Sequence, residues 1–129
     1  YTAAGPPIWL GGQGMSPALV RRLVKYGSGL NPFGALTDTD LRLLATSMRE
    51  AGRDISELEL VGGIRGTFHS PDDVASLDLA LESLPDQLGR GFTTICFKPA
   101  MFVENLAGLP AFYRELTDKV QALAVEALR

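Results

Sequence analysis

Apolar positions along this chain fall into short compact runs that alternate with longer stretches spaced by three and four, and Pro, Gly, Ser and Asp mark the boundaries. Residues 7–11, PIWLG, form a short run bounded by Pro and Gly, which suits a buried strand. Ser16 and Pro17 then supply an N-cap and a first helical position, since a serine hydroxyl accepts from orphan amides and proline has none to leave unpaired. Leu19, Val20, Leu23 and Val24 share one face of the helix that follows, Arg21, Arg22 and Lys25 point elsewhere, and Gly27 ends it.

The pattern repeats three more times. Residues 29–33, GLNPF, make a second, weaker strand, and Thr37 with Asp40 sits at capping-box spacing before Leu41, Leu44, Ala45 and Met48. Gly52 stops that helix. Residues 58–64, LELVGGI, read as a third strand in which Gly62 and Gly63 suggest a bulge or a close backbone approach. Ser70 and Pro71 repeat the cap-and-proline signal, with Asp72 and Asp73 in the first turn and Val74, Leu77, Leu81, Leu84 and Leu88 continuing an apolar stripe that Pro85 breaks. Residues 93–99, TTICFKP, form the fourth strand, and a last helix from Pro110 carries Phe112, Tyr113, Leu116, Val120, Leu123 and Ala127 on one side.

Four strand-helix units in 129 residues give about 32 residues each, the period of parallel strands joined by helical crossovers. The fold class is therefore α/β, a single domain over residues 1–129. Two architectures share the period: a small open doubly wound sheet, and half of a (β/α)8 barrel.

Composition narrows the function. With 46% hydrophobic residues the chain can bury a core, and a formal charge of -3 gives no general attraction for nucleic acid or an anionic membrane. No apolar run approaches the roughly 20 residues of a membrane span, and a single cysteine, Cys96, in apolar surroundings reads as a buried thiol in a reducing, cytoplasmic setting. One histidine, His69, and one cysteine give no metal-ligand spacing, and neither a nucleophile-base pair nor an acid pair stands out. Asp38, Asp40, Asp72 and Asp73 read as first-turn carboxylates, Trp9 and Phe97 as core, and Lys98 as a strand-end lysine that either snorkels to solvent, the more common case, or meets an anionic ligand.

The glycines carry the candidate chemistry. Gly11, Gly12 and Gly14 lie where a strand feeds a helix, where free amides and the positive end of the helix dipole favour an anion, and Gln13 and Ser16 add side-chain donors. The pattern is neither a Walker loop, which needs Gly-Lys-Ser/Thr, nor a full G-x-G-x-x-G, whose last place is held by Pro17. A phosphate cradle and a plain tight turn both fit these residues.

The succession PPIWLGGQG, RRLVKYGSGLNP, LRLLATSMREAGRD and ELELVGGIRG resembles the C-terminal half of the luciferase-like monooxygenase family, flavin- or deazaflavin-dependent oxidoreductases built on a (β/α)8 barrel. The resemblance runs over nearly the whole chain. It implies the second half of a TIM barrel whose glycine turn at Gly11, Gly12, Gln13 and Gly14 holds the phosphate of coenzyme F420 or FMN. Asn31 and Pro32 match the family's GDGWNP strand, while Ser28 replaces its acid and Leu30 its aromatic residue. The catalytic residues of such a protein come mainly from the first half, so the resemblance implies a chain inactive by itself that pairs with its missing N-terminal half or with a second copy. A non-catalytic, self-associating half barrel is the alternative.

Overall fold

The computed structural model describes residues 5–127, an α/β arrangement with a four-stranded parallel sheet in the order β1 (Trp9–Leu10), β2 (Gly29–Leu30), β3 (Glu59–Gly63) and β4 (Thr94–Cys96). That sequential order lacks the reversal that defines a doubly wound sheet. Trp9 pairs with Gly29 and Gly29 with Glu59, and Leu10, Leu30 and Leu60 form the next row. By contact the chain divides into two compact units, Tyr1–Gly62 with Gly91–Thr94, and Gly63–Arg90 with Ile95–Arg129.

In the first unit, α1 (Pro17–Tyr26) and α2 (Asp38–Glu50) form where their caps are strongest. The Ser16 hydroxyl accepts the Leu19 amide at 3.3 Å, and Thr37 and Asp40 complete a reciprocal capping box. Leu19, Val20 and Leu23 of α1 and Leu44 and Met48 of α2 are buried, as are Leu30, Leu60 and Val61 of the sheet. Each such side chain contributes about 1.5–3 kcal/mol by leaving water.

The end of α2 explains the sequence AGRD. Gly52 adopts φ +75°, and the amides of Gly52 and Arg53 donate to Arg49 O at 3.0 Å and Met48 O at 2.9 Å, a Schellman closure. This turn delivers the Arg53 side chain to the far end of α1. Its Nη1 donates to the carbonyls of Leu23 (3.2 Å) and Val24 (2.9 Å), its Nη2 to Gly27 O (3.1 Å), and its Nε to Glu57 (2.9 Å). A positive charge thereby sits on the negative end of a helix dipole while supplying partners for carbonyls the helix leaves open. Asp54 then caps the 3-10 turn Ile55–Glu57 that leads into β3.

The second unit has its own core, in which Ile64, Ala75, Leu77, Ala80, Leu81, Leu84, Phe102, Phe112 and Leu116 cluster. Phe102 and Phe112 stack at 5.5 Å and Phe97 meets Phe112 at 5.9 Å. Its helices are α3 (Leu77–Leu81), α4 (Leu84–Gly89) and α5 (Leu109–Ala127). Pro85 stands in the first turn of α4, so the apolar stripe does break there.

Four local expectations change. The helix expected from Ser70 begins instead at Leu77, capped by the Ser76 hydroxyl, because the Ala75 amide is drawn into a long-range bond to Met101 O at 2.7 Å and Ala75 is buried. Trp9 is 44% exposed rather than core, and Cys96 is exposed rather than buried. Gly63 needs no glycine for space, since an added Cβ would meet Cys96 O at an ordinary 3.5 Å. The Ala127 side chain lies outside the described residues.

Replacing Arg53 with Ala is expected to cost about 2–4 kcal/mol in urea denaturation, because a charged donor to several half-buried carbonyls is lost. Arg53→Lys should recover less than half of that, an ammonium being unable to span three carbonyls and Glu57 together. A full recovery by Lys would show that charge alone matters.

The caps also make stability depend on pH. The Thr37 hydroxyl, with its amide second, holds Asp40 below the ordinary value of 3.8, and Asp54 is lowered likewise by the Ser56 hydroxyl and amide. The Asp54 amide, with Arg53 second, lowers Glu57 below 4.5. Groups depressed in the folded state contribute stability that is present above their unfolded values and is lost as pH falls through the folded ones. Thermal melts of the native chain and Asp40→Asn should therefore differ near neutrality and converge as pH drops below 3.8. A gap that persists at low pH would contradict the assignment.

Candidate functional site

Where β1 runs into α1, residues 11–15 form a turn built from three glycines, of which Gly11 is required by close approach and Gly14 by its backbone conformation. A Cβ on Gly11 would lie 2.5 Å from Asn31 O and 3.2 Å from the Phe33 ring, a Cβ on Gly12 would meet the Leu19 side chain at 3.2 Å, and Gly14 has φ +65° with open space around it. The turn and the segment after β2 are tied by the Asn31 amide to Leu10 O at 2.9 Å and the Phe33 amide to Gly12 O at 3.1 Å. The structure thus brings Gly11, Gly12 and Asn31 together through their backbones, and leaves the Gln13 and Asn31 side chains exposed.

Among the described residues, no acceptor takes the amide hydrogens of Gly12, Gln13, Gly14 or Met15. The first turn of α1 contains no acidic residue, so its positive end is not neutralised from within the helix. Ser16, read as a further donor, accepts the Leu19 amide through its hydroxyl oxygen as the N-cap, which leaves its O–H able to donate. The turn therefore offers four neighbouring amide donors beside a helix N-terminus. Residues 11–15 themselves carry no nucleophilic or basic side chain.

Phe33 is the residue that pattern reading missed at this turn. Its ring packs on Gly11 yet is 70% exposed, leaving an apolar surface next to the free amides. The signal was available in the pairing of the two strand ends: a glycine in GLNPF's partner strand admits the aromatic ring.

The other candidates stand apart from the turn in chemistry. His69 and Lys98 are exposed, Lys98 at the start of the 3-10 turn Pro99–Met101 with no side-chain cap bond. Among the described residues no group of three His, Cys, Asp or Glu side chains could hold a metal ion, and no helix is long and apolar enough to cross a membrane. A cavity of about 300 Å³ in the second unit is lined by residues of α3 to α5, including Leu81, Pro85 and Lys119, and contains none of the glycine-turn residues. Lys119 there is held above the usual lysine value by its hydrogen bond to Asp78, with Glu115 adding to it.

No protein-family model, curated protein or solved structure matches the chain. The class that fold and turn define is an α/β protein with sequential parallel strands and an amide-rich strand-to-helix turn.

The three glycines should respond differently to alanine. Gly14→Ala should cost about 1–2 kcal/mol, the backbone penalty of a left-handed residue. Gly11→Ala should cost more, about 2–3 kcal/mol, and should shift the backbone signals of residues 31–33, because its Cβ meets a carbonyl that is part of the strand pairing. Urea titration of both variants checks the order, and a milder effect at Gly11 would contradict the close approach.

Proposed function

We propose that the chain is the C-terminal half of a luciferase-like, coenzyme F420- or FMN-dependent oxidoreductase, and that its glycine turn holds the phosphate of the cofactor. The observation that carries this reading is the run of four amides, Gly12 to Met15, without an acceptor among the described residues at a strand-to-helix turn. Successive main-chain N–H groups beside a helix N-terminus are what a phosphate dianion requires. The resemblance of PPIWLGGQG and YGSGLNP to that family supports the same reading, as does the sequential strand order, which a barrel shares and a doubly wound sheet does not.

In this reading Gly11 and Gly12 shape the turn, Gln13 and Gly14 contribute amides, and Asn31 presents its exposed carboxamide from the neighbouring strand end. The phosphate anchor fixes the position of the cofactor, while the redox chemistry belongs to the ring and to residues that this chain does not supply. The chain alone is accordingly inactive. Its partner is the missing N-terminal half or a second copy, either of which would add strands beside β1 and β4; the exposed Ile8 next to the β1 edge favours such an addition.

A second reading, a non-catalytic self-associating half barrel, is favoured by the fact that packing alone accounts for Gly11. Amide chemical shifts separate the two. Titration with FMN and with inorganic phosphate should move the amide signals of Gly12, Gln13 and Gly14 saturably, whereas riboflavin, which lacks the phosphate, should leave them in place. Unmoved glycine amides at millimolar phosphate would overturn the cofactor reading and leave the structural one.

A further inference from the structure

We propose that the transverse row Trp9, Gly29, Glu59 and Thr94 binds an organic cation, an alkylguanidinium or alkylammonium group. Strand register puts Trp9 opposite Gly29 and Gly29 opposite Glu59, and residues paired in a parallel ladder project to one face of the sheet. The glycine in the middle is what allows the row to work. A Cβ on Gly29 would lie 2.7 Å from Trp9 Cδ1 and 2.9 Å from its Nε1, so the indole leans across β2 in the direction of β3. It remains 44% exposed, which leaves ring surface for a ligand.

Glu59 is half-buried, and the Thr94 hydroxyl donates to its Oε1. No Lys or Arg among the described residues pairs with it; ion pairs among those residues join Arg53 to Glu57, Arg90 to Asp86, and Lys119 to Asp78 and Glu115. A cross-strand partner for Thr94 would explain a hydrogen-bond acceptor at position 59, but a glutamine would accept the same bond without a charge. What the pairing does not explain is an oriented, partly desolvated carboxylate left without a counter-ion. An indole in the same row, with only Gly29 between, adds the aromatic surface that attracts cations most strongly, and the two together select a positive group carrying N–H donors. The row does not depend on the phosphate reading, since it takes the opposite charge through different residues.

Trp9 is the single tryptophan of the chain, so its emission reports on this row alone. Titration of the full chain with butylguanidinium should change that emission saturably, with a midpoint in the low millimolar range expected of one solvated ion contact plus an aromatic face. Uncharged butyramide should give no saturable change. Glu59→Gln should weaken binding about tenfold or more while keeping the Thr94 hydrogen bond and the melting temperature. As a measurement that needs no variant, raising salt to about 0.5 M should weaken binding to the native chain. A response that is linear, shared by butyramide, indifferent to salt or unchanged in Glu59→Gln would overturn the proposal.

Discussion

The guanidinium of Arg53 gathers three carbonyls from the end of α1 and the carboxylate of Glu57, and the geometry of the first unit depends on that convergence. A helix end inside a small domain leaves polar groups that must find partners. Here the partner comes from a residue 26 to 30 positions further along, so the bond fixes α1 against the segment that enters β3. Because β2 starts directly after α1, the same contact sets where Gly29 and Leu30 can pair with their neighbours. The Schellman turn at Gly52 is the local condition for this: only a left-handed residue there sends the arginine back across the helix.

The strand-to-helix turn depends on that placement in its turn. Asn31 and Phe33 follow β2, and their backbones close on Leu10 and Gly12. The carbonyl of Asn31 comes so near Gly11 that no side chain fits, and the Phe33 ring takes the remaining space. A glycine-rich turn can thus arise from packing and still hold four amides without an acceptor among the described residues, since admitting a neighbour and leaving an amide unpaired are different demands on the same residues. That is why the turn supports both a binding and a structural reading until an anion is offered to it.

The second unit achieves strand support by another route. The Gln87 carboxamide accepts the Gly63 amide at 3.0 Å and donates to the Gly63 carbonyl at 3.2 Å, acting as a one-residue substitute for a neighbouring strand. Phe97, Phe102, Phe112 and Tyr113 form an aromatic cluster in the same unit, and Phe102 and Phe112 share a core with Leu77, Leu81 and Leu84 of helices too short to be stable by themselves. The short α3 and α4 persist through burial of Leu77, Leu81 and Leu84 more than through their caps.

Local chemistry was enough to locate what depends on near neighbours. Ser16 with Pro17, and Thr37 with Asp40, act within four residues, so the starts of α1 and α2 and the α/β alternation were readable from sequence. The glycine turn was readable for the same reason. Contacts between distant residues decided the rest. Ser70-Pro71 and Ser76 are comparable caps, and a bond from Ala75 to Met101 selected the second. Trp9 has the hydrophobicity of a core residue, and register with a glycine left it exposed, in the same row as Glu59. Nothing next to Arg53 in the sequence marks its role, because the carbonyls that give it meaning lie at the end of α1 and come within its reach only once both helices have packed.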